Sequence, residues 1–284
     1  MVILVTGAKG QLGTALQKKA ALNNDYRFIW ADSQSLNLTD AAGIYHFFEQ
    51  HAPDLCINTA AYTAVDLAET ETEKAFAVNK KGVQYLAKAC QKRNIPLIHI
   101  STDFVFDGQK TSPYTETDET HPLSVYGASK RAGEIELTET LAKHIIIRTS
   151  WVYSNEGKNF LKTMLRLADE RDEIRVVNDQ MGTPTHADDL AEVIFAFANA
   201  LQTPNFSGYG IYHYSHEGLC SWFDFASEIM RVYHKNCVVK PIPTSDFPTP
   251  AKRPNYSVMD KSKIKSVLGI EIPDWRVALK HHAQ

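Results

Sequence analysis

The sequence predicts an α/β protein built on a doubly wound parallel sheet with a smaller cap, on the strength of three observations. Through residues 1–149, short β-branched apolar runs alternate with amphipathic helical stretches, the rhythm of strand, crossover helix and parallel strand. A glycine-rich turn stands where the first strand passes into the first helix. After Ser150 the alternation stops and a loop rich in Gly, Thr and Pro follows.

Taken in order, Val2 to Thr6 reads as the first strand and Gln11 to Leu22 as the first helix, followed by strand Phe28 to Ala31, helix Ala41 to His51 and strand Leu55 to Asn58. Glu73 to Arg93 carries Phe76, Val83, Leu86, Ala87 and Cys90 at helical spacing and reads as one helix. Leu97 to Ser101 and Ile145 to Thr149 are strands flanking the helix Gly127 to Leu141. Beyond Ser150, Phe160 to Glu170 is helical, Arg175 to Asn178 a short strand, and Met181 to Thr185 a loop. Asp188 to Leu201 is an apolar helix expected to pack back on the sheet. Tyr209 to Tyr214, Trp222 to Tyr233 and the Pro-rich Pro241 to Pro254 are assigned to the cap. The expected division is therefore residues 1–149 with helix 188–201, against a cap of 150–187 and 202–284.

The chain has 284 residues, 44% of them hydrophobic, enough to bury a sizeable core. A formal net charge of -3 without any long Lys/Arg block argues against nucleic acid as a partner. Cys56, Cys90, Cys220 and Cys237 are scattered with no C-x-x-C pair, so no disulfide framework or zinc site is expected. The eleven histidines include His281-His282 but form no ligand pattern, and no metal or chemistry is assigned to them. The apolar start is a strand's length with no basic leader, so the expectation is a soluble cytoplasmic protein without a membrane segment.

Gly7-Ala8-Lys9-Gly10-Gln11-Leu12-Gly13 is a G-x-x-G-x-x-G loop between strand and helix. Glycine permits the tight turn and the close approach of backbone to a pyrophosphate, while the free amides of the helix start favour the anion. In this context the loop predicts dinucleotide binding and a Rossmann-type sheet. Asp32 ends the second strand, where a carboxylate suits the ribose 2'-hydroxyl of NADH; Lys9 in the loop is placed for the 2'-phosphate of NADPH. Both cofactors stay open.

Tyr126-Gly127-Ala128-Ser129-Lys130 sets a phenol and an ammonium four residues apart, on one helix face. A close cation favours the phenolate and brings proton exchange nearer working pH. Thr102 follows the strand Leu97 to Ser101, where its hydroxyl is placed to bond a substrate carbonyl. Joined to the glycine loop, this trio makes hydride transfer to a carbonyl the leading reaction class.

On these residues the chain resembles the extended short-chain dehydrogenases, and within them the dTDP-4-dehydrorhamnose reductase family. The likeness also covers Asn58 to Glu69, Asn79, Ser101 to Gly108, Arg148 to Tyr153, Asp179 to Thr185 and Arg253-Pro254. It implies a nucleotide-sugar-binding cap and reduction of the 4-keto group of dTDP-4-dehydro-L-rhamnose by NADH or NADPH. Catalysis would rest on Thr102, Tyr126 and Lys130, with Tyr126 the proton donor. The cofactor would meet Gly7, Gly10, Gln11, Leu12, Gly13, Asp32, Asn37, Leu38, Ala60, Ala61 and Tyr62 besides Tyr126 and Lys130. The substrate would meet Thr102, Asp103, Trp151 and Arg253.

Two departures qualify the likeness. Phe104 stands where many relatives have Tyr, removing a hydroxyl, and Ala15 replaces a Glu that in some relatives helps hold Mg2+ at a homodimer contact. The second puts that metal site in doubt, and the residues do not support it elsewhere. Other readings remain: another nucleotide-sugar 4-ketoreductase or 4-epimerase, or a non-catalytic NADP-binding regulatory subunit. Dehydration is disfavoured, because Asp103 is followed by Phe104 rather than a second acid.

Overall fold

A computed structural model describes residues 1–21 and 25–283; Leu22, with which the expected first helix ends, lies outside them. The chain begins β1 (Val2–Thr6), α1 (Gln11–Ala20), β2 (Arg27–Ala31), α2 (Ala41–His51), β3 (Leu55–Asn58), α3 (Val65–Ala68) and α4 (Thr72–Phe76). A π-helical stretch (Ala77–Gly82) leads into α5 (Val83–Arg93), β4 (Leu97–Thr102), α6 (Val125–Thr140) and β5 (His144–Thr149). There follow β6 (Val152–Tyr153), α7 (Phe160–Glu170), β7 (Glu173–Val177), β8 (Met181–Gly182), β9 (Thr185–His186) and α8 (Ala187–Ala200). The chain then runs through β10 (Gly210–His213), β11 (Cys220–Ser221), α9 (Trp222–Val232), β12 (Val238–Ile242), α10 (Ser262–Leu268) and α11 (Trp275–His282).

Six parallel strands form the central sheet in the order β10-β5-β4-β3-β1-β2. Successive side chains leave a strand on opposite faces, so each apolar run serves both layers. Ile3, Val5, Ile57 and Ile147 meet Leu16 of α1 and Leu190 and Ile194 of α8. Leu4, Cys56, Leu97 and Ile146 meet Ile44 and Phe48 of α2, Leu86 of α5 and Leu137 of α6. This is the doubly wound arrangement. A separate core of Tyr153, Leu161, Phe225, Ile229 and Trp275 holds α7, α9 and α11 together.

Three local expectations are corrected. Tyr209 to Tyr214, assigned to the cap, supplies β10, which pairs with β5 and extends the main sheet. Tyr212 is buried there, and no adjoining crossover rhythm marked the segment as a sheet strand. The Pro-rich stretch from Pro241 overlaps β12, which runs parallel to β7 with Pro241 opposite Val176; an edge strand tolerates the missing N–H. The helix expected over Glu73 to Arg93 is divided by the π-helical stretch, within which Asn79 is buried. Asn79 Oδ1 accepts from the Tyr62 N–H at 2.8 Å, and Nδ2 donates to Tyr62 O at 3.0 Å and to Ser129 Oγ at 2.9 Å. A π-bulge at a functional cleft is a recurrent device.

Candidate active site

The turn from β1 into α1 builds one wall of the site. Gly7 has φ +73°, and a Cβ there would lie 2.6 Å from the Ala60 nitrogen. A Cβ on Gly13 would lie 2.3 Å from Gly7 O, so the helix start can close on the loop only with glycine. No side chain caps α1 at Gly10, which leaves the first amides directed at the cleft for an anion. These features fit a dinucleotide pyrophosphate.

Residues from the carboxyl ends of the strands line one cleft of about 890 Å³ with this loop. Of the residues named above for cofactor or substrate, all line it except Gly13, which packs beneath the loop. Asn37 Oδ1 accepts from the Thr39 N–H at 3.0 Å and so shapes its own turn. Leu38 is buried, close to Gly82.

Asp32 accepts from the Gln34 and Ser35 amides at 3.0 and 2.9 Å. Lys9 pairs with it, and this pairing is the leading reason the carboxyl sits well below the usual carboxylate range. The two cofactor cues therefore bear on one ion pair.

Across the cleft, Ser124 starts α6 by accepting from the Gly127 N–H at 3.2 Å, placing Tyr126 and Lys130 on the inner face. A Cβ on Gly127 would sit 2.2 Å from Phe104 O, and one on Gly133 2.1 Å from Asn79 O, so glycine brings this helix close to the turn after β4 and to the π-helical stretch. The Phe104 ring meets Tyr126 edge-on at 5.7 Å. It packs the phenol where a tyrosine would add a hydroxyl.

Burial pushes the Tyr126 phenol up to about 12, opposed by its hydrogen bond with Thr102 and reinforced by Asp103. Burial also pushes Lys130 down to about 8, with Glu134 pulling the other way. The expected lowering of Tyr126 by a nearby cation is not seen: burial is the leading influence on the phenol, and Lys130 is not among the groups that act on it. A protonated phenol is the form that a donor to an alkoxide needs. Thr102 Oγ1 donates to Asp103 Oδ1 at 3.0 Å. Burial raises the Asp103 carboxyl to about 6, against the hydroxyls of Ser257 and Thr102.

On the cap side, Trp151 has φ +48°, an uncommon backbone state for a bulky residue. Its ring stacks on Trp222 at 3.6 Å and lies over Gly182, whose absent Cβ would otherwise be 2.6 Å from it. Trp222 lines the cleft and was missed: alone in a cap helix, a tryptophan carries no sequence signal of a site. Arg253 reaches the cleft, but its guanidinium donates to Asp66 Oδ2 at 2.9 Å and to Ala251 O at 3.0 Å. Gln11 Oε1 accepts from Ser154 Oγ at 3.0 Å and Asn159 Nδ2 at 2.8 Å, joining the glycine loop to the cap loop.

The histidine expectation also changes. His186, Asp189 and His282 bring ligand-type atoms within 4.8 Å of one another, a cluster that sequence separation conceals. However, His186 Nδ1 accepts from the Asp188 N–H at 3.2 Å, which leaves the proton of the neutral ring on Nε2. A metal-binding histidine normally directs its second N–H at an acceptor. His282 Nε2 instead bonds Asp189, 2.9 Å from each oxygen, which suits a hydrogen-bonded cluster.

The fold and cleft together define a class, the NAD(P)H-dependent oxidoreductases of extended short-chain dehydrogenase type. Residues 1–284 match the family described as the RmlD substrate binding domain. The chain is 44% identical over 285 residues to a dTDP-4-dehydrorhamnose reductase of Aggregatibacter actinomycetemcomitans, covering 98% of this chain and 97% of that protein. It belongs to the dTDP-4-dehydrorhamnose reductase family. A Clostridium acetobutylicum dTDP-4-dehydrorhamnose reductase superposes with TM-score 0.94 at 40% identity, over 99% of this chain and 98% of that one. The Bacillus anthracis reductase in complex with NADP gives 0.93 at 38% identity, with the same coverage. Among the described residues no helix is long and apolar enough to cross a membrane.

Proposed function

We propose that this protein reduces the 4-keto group of dTDP-4-dehydro-L-rhamnose to give dTDP-L-rhamnose, using NADPH or NADH. The observation that carries the reading is that Thr102, Tyr126 and Lys130 line the same cleft as the glycine loop. The names of its relatives support the sugar nucleotide. In this reading the sheet lobe holds the dinucleotide and the α7, α9 and α11 cap covers the sugar nucleotide.

When bound, the reduced dinucleotide supplies a hydride. Thr102 Oγ1 orients the carbonyl oxygen beside Tyr126. As charge gathers on that oxygen, the Tyr126 hydroxyl gives it a proton, leaving alcohol and phenolate. Lys130 then balances the phenolate and returns a proton to it. Trp151 and Trp222 wall the sugar side, and Arg253 also lines the cleft.

Replacing Tyr126 by Phe should leave NADPH affinity nearly unchanged and lower turnover by about 10²–10⁴-fold. Undiminished turnover would refute the assignment. Stoichiometric oxidation of NADH or NADPH by the 4-keto sugar nucleotide separates reduction from epimerisation, which cycles without net consumption.

A further inference from the structure

Beneath Lys130 runs a polar row that this reaction scheme leaves unused. Thr6 ends β1, Asn58 ends β3 and His99 lies within β4, and the sheet register places Thr6 beside Asn58 and Asn58 beside His99. All three are buried, with Asn58 and His99 0% exposed.

The donor directions along this row are determined. Asn58 Oδ1 accepts from Thr6 Oγ1 at 2.6 Å and from the Ala60 N–H at 3.2 Å. The Ala60 N–H can only donate, so the atom facing it is the amide oxygen. Asn58 Nδ2 therefore faces His99 Nδ1, 2.9 Å away, and donates to it. Burial, followed by the charge of Lys130, holds the His99 pKa well below its ordinary value, so the ring is neutral. A neutral imidazole that accepts at Nδ1 carries its proton on Nε2. That Nε2 lies 3.3 Å from Lys130 Nζ, while Nζ donates to Ile100 O at 2.7 Å. An ammonium offers no lone pair to an N–H; an amine does.

We infer that His99 is a positioning residue for this reaction: fixed by Asn58 in the Nε2–H tautomer, it directs a donor at Lys130 Nζ and favours the amine over the ammonium. The inference rests on the reading that Lys130 serves Tyr126. Its consequence is a proton path that balances. The alkoxide takes the Tyr126 proton, the Lys130 ammonium passes one to the phenolate, His99 stabilises the amine so formed, and solvent restores the lost proton. The transfer from Lys130 to the phenolate runs downhill, from a group near 8 to one near 12. Besides His99, the ionisable group that acts on Lys130 is Glu134, one turn along α6. Glu134, which favours the ammonium, is itself engaged by Arg148 of β5 and by Arg131.

The test uses Asn58→Asp, which keeps size and both accepted hydrogen bonds but turns the atom facing His99 from donor to acceptor. In full-length protein labelled with 15N-histidine, imidazole NMR should find His99 protonated at Nε2 in the native chain and at Nδ1 in the variant. The alkaline limb of the kcat/KM profile for NADPH oxidation should move up by about one pH unit or more in the variant. Protonation at Nδ1 in the native chain, or an unmoved limb in the variant, overturns the inference. Should the variant fail to fold, the native tautomer alone decides. That signal needs no turnover, so its failure is distinct from a fully active Tyr126→Phe, which would instead overturn the reading of the site.

Discussion

Lys9 of the glycine loop and Asp32 at the end of β2 form an ion pair beside the cleft, so the anionic and cationic cues for the cofactor neutralise one another. A ribose 2'-hydroxyl would draw on Asp32 as acceptor, a 2'-phosphate on Lys9 as donor. Lys9→Ala should lower kcat/KM with NADPH relative to NADH by about tenfold, or about 1.4 kcal/mol. Asp32→Ala should shift the ratio the other way. Steady-state kinetics with both cofactors checks this, and equal losses in the two variants would contradict it.

Trp151 is held in its left-handed conformation between the Trp222 ring and Gly182. Gly182→Ala would drive a methyl group into the indole and displace it from its stacked position. Because small misplacements of positioning groups are costly, kcat/KM for the sugar nucleotide should fall about tenfold to a hundredfold. NADPH affinity, read by fluorescence titration, should change less than twofold, since Gly182 lies in β8, paired with β11 and not in the glycine loop.

Glu134 of α6 binds Arg148 of β5 in a buried bidentate pair, at 2.9 and 2.8 Å. Arg148 also lies over the Phe106 ring at 5.2 Å. Removing one partner strands a charge, so Glu134→Ala should reduce stability by about 3–5 kcal/mol. Urea denaturation measures this directly; a loss below about 1 kcal/mol would show that the stranded guanidinium reaches water.

Burial pushes His186 and His213 from the ordinary 6.5 down to about 3, with His282 adding for His186 and Arg148 for His213. Between those values the unfolded chain binds protons that the folded chain refuses, so stability falls as pH drops from 6.5 towards 3. Asp103, raised from 3.8 to about 6, acts in the opposite sense within that window. The urea midpoint should decline from pH 7 to pH 4.5, and less steeply in His186→Phe. A midpoint independent of pH would contradict this.

Much of the fold was legible because a parallel sheet needs local regularities: β-branched runs, amphipathic helices, and a glycine turn between the first pair. β10 and β12 were not, since their pairing depends on β5 and β7, distant in sequence. The break in the expected helix from Glu73 was hidden for a similar reason. Asn79 reaches across to Tyr62 and Ser129, and nothing in helical periodicity announces that contact.

The site divides in the same way. The sequence by itself determined the glycine loop, the Tyr126 and Lys130 spacing and the position of Thr102, because each depends on neighbours within one element or turn. Only the tertiary structure decided the electrostatics. Pairing Lys9 with Asp32, burying Tyr126 so that its phenol holds its proton, and aligning Thr6, Asn58 and His99 beneath Lys130 all require separate strands to meet. Charge and hydrogen-bond direction depend on distance and burial, which are properties of the assembled sheet and its cap.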